Sequence, residues 1–454
     1  MKYALLIFVF SIFINPFIQG QEPWSIEKCI QYAYENNISI KQQSINTEYN
    51  ENILKQSKIG LAPNLNAGAN HGWSFGRALD QTTYEFTEQE SIMSTNMNVN
   101  SRVTLFNGLQ QLNTIKQNEF NLMASLQDLE KLKNDIALFI ASAYLQILFN
   151  RELLAVSQTQ LETTRAQVDR TQKLVDAGSL AYGSLLEIQA QAASEELNVV
   201  NAQNQLDISY LNLTQILDLD STEGFEIIIP EFGDIATQEI TVTVGSVFME
   251  ATSQLPRIKS AEYQLASSEK GLDIAKGDRS PSLSLTGSFG TGYSDYRQRV
   301  LDASDPFNPI FEPYPFWDQI TDNRSTGIAF GLSVPIFNGW MVNTNISNAR
   351  LGVMNSKLNL ESEKNNLYKD IQQAHADAVA ARKRYLSTQE ALKSMEESFK
   401  YTENKFEVGL INTVDYSTDK NRLTATQSDL LQAKYDYIFR LKILDFYRGI
   451  PVTL

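Results

Sequence analysis

The sequence predicts a mixed α/β membrane protein in which one unit is written twice. Each copy has two β-strands, four per chain, followed by a long coiled-coil helical hairpin. Three observations predict it. The tripeptide Phe106, Asn107, Gly108 returns as Phe337, Asn338, Gly339, and the turn glycine Gly178 returns as Gly409, both at a spacing of 231 (337 − 106 and 409 − 178). Four segments alternate apolar and polar residues with the period of two expected of a half-buried strand. After each Phe-Asn-Gly, proline-free runs carry apolar residues every seven positions, the pattern that winds helices into a left-handed coiled coil. A long-period repeat decides what counts as a domain, so the 454 residues read as one pseudo-symmetric body, where length alone would allow about three domains.

Residues 1–20 join the charged Lys2 to a short apolar run over 4–14 and a helix-ending Pro16, as a secretory signal peptide does, with cleavage expected after Gly20. The run falls short of the roughly 20 residues that span a bilayer, which disfavours an uncleaved anchor. No long apolar stretch is expected after it, so membrane insertion has to come from strands. A net charge of −15 argues against a nucleic-acid partner. The single cysteine, Cys29, excludes an internal disulfide and lies on an apolar helical stripe, as a core residue would.

The first repeat covers 21–217 and the second 243–454, with 218–242 as an irregular connector in an equatorial region. Each begins with helical text, over 25–57 and 243–276, for which Ser25 and Thr243 are suitable N-caps. Those two residues and the prolines Pro63 and Pro281 are 218 apart (243 − 25 and 281 − 63), so 13 residues (231 − 218) are inserted between Pro281 and Phe337. Strands are expected at about 64–76, 92–106, 282–293 and 326–337. Leu65, Ala67, Ala69, His71, Trp73 and Phe75 face one way in the first, against Asn64, Asn66, Gly68 and Asn70. The enlarged loop, 294–326, is rich in proline and aromatic residues and is expected to be ordered.

Asn, Ser, Thr and Gly fill the polar strand faces, as in a wet lumen, while Trp73, Phe75, Phe106, Phe289, Tyr293 and Phe337 gather near strand ends like the aromatic girdles of a membrane barrel. A soluble β-sandwich also alternates, but nothing else in the chain would cover such a sheet. The hairpins occupy 108–217 and 339–448. Leu154, Leu161, Val168 and Val175 repeat by seven, with Ser157, Thr164 and Thr171 between them; Tyr385, Leu392, Phe399 and Phe406 match in the second copy. Each long helix would measure on the order of 100 Å at 1.5 Å per residue, and Gly178 and Gly409 close them at tight tips.

Catalytic chemistry has little to build on. The two histidines, His71 and His375, sit in a strand and a long helix, and the sequence has no phosphate-cradling Gly-Lys loop, no cysteine pair and no nucleophile elbow. An enzyme and a bound cofactor are not expected.

Four strands cannot close a membrane barrel alone, so the chain has to oligomerise. Two copies would give eight strands and a filled interior; three would give twelve and a lumen, and the polar face favours three or more. Residues 333–339, Ser-Val-Pro-Ile-Phe-Asn-Gly, and 408–415, Val-Gly-Leu-Ile-Asn-Thr-Val-Asp, resemble the strand-to-helix junction and helix-tip motif of the TolC-type outer-membrane efflux proteins. The resemblance covers about 21–451. It implies a homotrimer, a twelve-stranded barrel in the outer membrane of a Gram-negative bacterium, a helical tunnel in the periplasm, and tips that dock a periplasmic adaptor joined to an inner-membrane transporter.

Carried onto this chain, the resemblance gives three groups of residues. Phe106, Asn107, Gly108, Phe337, Asn338 and Gly339 form the junctions. Gly178, Ser179, Leu180, Val408, Gly409, Leu410 and Ile411 form the docking tips. Asp415 and Asp419 stand near the narrow aperture and would set ion selectivity. The first tip departs from the family pattern with Ser184 where Asp is common, and Thr418 replaces a second acidic position. Efflux by a pump and type I protein secretion both fit such a duct, and a coiled-coil surface spacer is the competing class; a spacer needs no matched tips.

Overall fold

In the computed structural model, which describes residues 23–77, 86, 90–233, 239–302, 304 and 309–454, the strands are β1 (Asn64–Gly76), β2 (Glu90–Asn107), β3 (Ser282–Ser294), β4 (Gln298–Asp302), β5 (Ile310–Pro313) and β6 (Ser325–Ser333). The expected signal segment lies outside the described residues. The helices are α1 (Ile26–Asn36), α2 (Ile38–Ile59), α3 (Gln110–Asp176), α4 (Tyr182–Ile216), α5 (Val244–Gln254), α6 (Pro256–Gly277), α7 (Phe316–Asp322), α8 (Met341–Glu407) and α9 (Thr413–Tyr447). Two units emerge: Gln43–Leu129 with Pro256–Asn365 make the sheet unit, and the described residues of Met1–Gln42, Glu130–Leu255 and Asn366–Leu454 make the helical unit.

In the sheet unit, four strands pair antiparallel in the order β1-β2-β3-β6, which leaves β1 and β6 as edges. The register keeps the two residue classes apart. Ala67 lies opposite Val99 and Trp73 opposite Met93; Val99 lies opposite Phe289 and Val103 opposite Leu285; Leu285 in turn lies opposite Phe330. Successive side chains alternate, so one face is mostly apolar, with His71, Thr95 and Ser101 among its residues, and the other carries Asn66, Asn98, Asn100, Thr286 and Ser288. A slip of one residue would turn a whole apolar set over, so burial of that face against any apolar medium fixes the register.

Three details depart from expectation. β6 ends at Ser333, short of residue 337, because Pro335 carries no N–H for a ladder; Ile336 beyond it is 94% exposed. A bulge between Thr104 and Phe106 brings Phe106 opposite Leu283 just before the junction. The enlarged loop adds secondary structure of its own: β4 pairs with β5, and α7 lies on β3. Pro306 and Phe307 of that loop fall outside the described residues. β6 accompanies β3 only as far as the pair Gly290 and Ser325, and α7 serves the backbone beyond it. Gln319 Nε2 donates to Ser294 O (2.8 Å), its Oε1 accepts from Ser294 N (3.0 Å), and Asn323 Nδ2 donates to Gly292 O (2.6 Å). Gln319 is fully buried because these bonds replace its water.

The two stretches of N-terminal helical text are each interrupted. Ser25 caps α1 by accepting from Lys28 N (3.2 Å), and Thr243 forms a capping box with Ser246. The break after α1 falls at Asn37, whose Oδ1 accepts from Ser39 N (3.0 Å) to start α2. The break after α5 falls at Leu255, held extended by the following Pro256.

The helical unit packs around the middle of α3. Ile140, Ala141, Tyr144, Ile147 and Leu148 are buried, as are Cys29 and Ala33 of α1. The Tyr144 hydroxyl donates to Trp24 O (3.0 Å) and Ile228 O (2.5 Å), where Trp24 and Ile227 form a β-bridge that ties the connector to the N-terminus. Contrary to expectation, a further stretch long and apolar enough to cross a membrane exists, and it lies in α3. Just under half of that stretch is buried in the core. Leu154, Leu161, Thr164 and Thr171 of the seven-residue seam are buried too.

Candidate functional site

The tips are built by helix termination. Gly178 has φ 74° and Gly409 φ 75°, left-handed values that glycine adopts without a Cβ clash. Gly178 N donates to Val175 O (2.9 Å) and Ser179 N to Leu174 O (2.8 Å); Gly409 N donates to Phe406 O (3.1 Å) and Leu410 N to Lys405 O (2.8 Å). Both are Schellman closures, which satisfy the last carbonyls of α3 and α8 and turn the chain sharply. Val408 and Leu410 are exposed at the second tip, and Ser179 and Leu180 at the first. The tips meet through Arg170 Nη1 and Glu407 Oε1, 2.9 Å apart.

Asn412 caps α9, its Oδ1 accepting from Asp415 N (2.8 Å). Asp415 is exposed in the first turn, while Asp419 accepts from Thr402 Oγ1 (2.8 Å) and lies 3.5 Å from Arg422. The two aspartates therefore differ: Asp419 is held by α8 and a cation, and Asp415, among the described residues, only through its backbone. α4 starts without a side-chain cap at Ala181, and Ser184 stands where α9 has Asp415 (184 + 231 = 415).

Sequence reasoning missed a buried network close to the tips. Lys420 of α9 is 3% exposed and Glu195 of α4 is 4% exposed. Their Nζ and Oε1 atoms are 3.4 Å apart, Lys420 also donates to Gln160 O (3.2 Å), and Thr164 Oγ1 bonds both Lys420 and Glu195. Gln191 donates to Glu195 (2.8 Å) and to Asn421 (2.9 Å). Burial pushes the Lys420 ammonium below its ordinary range, and Glu195 pulls it back. The heptad placed Thr164 in a seam, but only its small volume was readable there, and its partners lie 31 and 256 residues away in sequence.

At the junctions, Gly108 has φ 66° and Gly339 φ 63°, and each is followed by a second left-handed residue, Leu109 (φ 63°) and Trp340 (φ 68°). The surroundings differ. A Cβ on Gly108 would come 2.5 Å from Gly277 O, whereas one on Gly339 meets nothing within 4 Å. Among the residues named from sequence, the structure brings the Val408–Ile411 turn and Asp415 to one end of α9, and the two Phe-Asn-Gly groups to the strand-to-helix passages.

A model of the family described as outer membrane efflux protein matches residues 29–218 and 247–447. The outer membrane protein TolC of Escherichia coli K12 is 21% identical over 351 residues, which are 76% of this chain and 66% of that protein. The chain thus spans just under two thirds of TolC. The Vibrio cholerae outer membrane protein VceC superposes with TM-score 0.76 at 14% identity, over 93% of this chain and 96% of that one. The Campylobacter jejuni CmeC outer membrane channel does so with TM-score 0.76 at 16% identity, over 93% and 85%. These two likenesses establish the fold.

Proposed function

We propose that three copies of this chain, which belongs to the outer membrane efflux protein family, assemble into the exit duct of a tripartite efflux system. One observation carries the reading. The sheet has an apolar face, a polar face and, among the described residues, two unpaired edges, β1 and β6. Open edges cannot face lipid, so the strands have to continue into another copy. Three copies give twelve strands, wide enough for a lumen lined by Asn, Ser and Thr. The apolar face then meets outer-membrane lipid. The hairpins α3–α4 and α8–α9, whose long helices hold 67 residues each, continue the passage into the periplasm.

The exposed turns at 178–180 and 408–411 are the surface offered to a periplasmic adaptor, which links the duct to an inner-membrane transporter. Asp415 and Asp419 stand at the narrow end. Equal element lengths support a duplicated architecture: α3 and α8 start 231 residues apart (341 − 110) and end 231 apart (407 − 176), as do α4 and α9. Purified protein should form a trimer that conducts ions across a planar bilayer, and an adaptor and transporter should copurify after crosslinking in cells. A stable monomer without conductance would overturn the reading.

A further inference from the structure

The elements of the two copies stand at fixed offsets, 218 residues from α2 to α6 (256 − 38) and from β1 to β3 (282 − 64), and 231 from α3 to α8. In the sheet unit, four of these helices form a row. α2 meets α3 through the hydroxyls of Thr47 and Ser125, 3.0 Å apart. α3 meets α6 where Ser267 Oγ donates to Asn121 Oδ1 (2.6 Å) and Phe120 stacks on Tyr263 with centroids 6.4 Å apart. α6 meets α8 through Ser268 and Ser356, 2.8 Å apart. The row α2-α3-α6-α8 has the same copy order as the sheet β1-β2-β3-β6. In each layer the middle seam joins the second half of copy one to the first half of copy two. The return seam, from the second half of copy two to the first half of copy one, would join the two ends of the row.

The offsets translate the middle seam into that return seam, residue by residue. Ser267 becomes Tyr49 (267 − 218) and Asn121 becomes Gly352 (121 + 231); Tyr263 becomes Ile45 and Phe120 becomes Leu351. In the middle seam Ser267 is 7% exposed, whereas Tyr49 is 64% exposed and Leu351 60%. The volumes are complementary: the large Tyr49 replaces a serine, and the residue it would meet is a glycine above which a Cβ encounters nothing within 4 Å. Strand pairing translates as well. Val99 opposite Phe289 becomes Phe330 opposite His71, and Met97 opposite Thr291 becomes Ile328 opposite Trp73. This register keeps the apolar residues of β6 on the same face as those of β1, an outcome the offsets did not have to give, since a shift of one residue reverses it.

We propose that a second copy of this chain binds along these ends in this register. α2 of one protomer lies against α8 of the next, with Tyr49 seated over Gly352 of the partner subunit and Ile45 against Leu351 of the partner subunit. The proposal rests on the oligomeric reading above and adds the contact and its register.

The test is oxidation of the full-length, membrane-extracted chain carrying Tyr49→Cys with Gly352→Cys. A seam with this geometry brings the two Cβ atoms within disulfide reach. A shift from one-chain to three-chain bands in denaturing gels is expected, reversed by reductant and absent from each single variant. The off-register pair Tyr49→Cys with Leu358→Cys should stay at one chain. Ile45→Cys with Leu351→Cys provides a second in-register pair should the first assemble poorly. A parent that is trimeric by native mass, with neither in-register pair crosslinking or with the off-register pair crosslinking equally, would overturn the register and leave the duct intact. In-register crosslinks that close at another copy number would keep the register and remove the three-copy duct. A monomeric parent removes both.

Discussion

Burial pushes the Cys29 thiol up to about 12, because the thiolate would lose its water, and the Glu27 carboxylate adds repulsion. Its ordinary value is 9.0. Below pH 9 the folded and unfolded chains both hold the proton and the contribution to stability is complete. As pH rises from there toward the folded value, the unfolded chain ionises first and stability is lost. Cys29 should therefore resist iodoacetamide at pH 8.5 in the folded protein and react fully in urea, as read by mass spectrometry; rapid labelling of folded protein would contradict its core position. Lys420 and Glu195 follow the other logic of burial. Removing one partner of a buried pair leaves an uncompensated charge, at a cost of about 3–5 kcal/mol, whereas removing both can be nearly neutral. Glu195→Gln should lower the thermal midpoint more than Glu195→Gln combined with Lys420→Met, and the reverse order would show that the pair is not the stabilising unit.

Helix ends and turns are where function meets fold at the next scale. A Cβ at a left-handed position costs about 1–2 kcal/mol, so Gly409→Ala should destabilise the second tip by that order in thermal unfolding. Leu410 has a different role, because its side chain is exposed beyond the closing hydrogen bond. Leu410→Asp should abolish efflux and adaptor copurification while trimer yield stays that of the parent; joint loss of trimer would make it a structural residue. Much at this scale was readable in advance. Strand faces follow from a period of two, and the tips from glycines standing 231 apart. What was not readable had physical causes. Leu109 and Trp340 are left-handed without a residue type that signals it, and Asn37 breaks a helix by a local side-chain bond that asparagine makes only in context. Gln319 and Asn323 serve an edge of β3 that is open only because β6 begins at Ser325, opposite Gly290. The Lys420 network joins three helices whose pairing no local pattern specifies.

At the scale of the whole molecule, the two faces of the sheet predict opposite tolerances. Val99→Arg should cost about 2–4 kcal/mol if it faces lipid near the midplane, and reduce insertion, while Asn98→Arg on the lumen face should insert normally. Equal yields would mean the faces are misassigned. The narrow end carries the last expectation. In the proposed trimer, Asp415 becomes three carboxylates related by symmetry, a ring that draws cations and repels anions at close range. The competing role is to favour the positive start of α9, worth about 0.3–1 kcal/mol. That role is already largely filled, since Asn412 accepts the Asp415 N–H and caps the helix. Asp419 is less free to serve, because Thr402 and Arg422 hold it. Asp415→Asn should therefore leave the trimer and its unfolding temperature nearly unchanged, while cation selectivity falls and block by multivalent cations weakens in planar bilayers. Asp419→Asn should change selectivity less. Ion selectivity equal to the parent in Asp415→Asn would reduce Asp415 to a helix-start residue and place the aperture elsewhere.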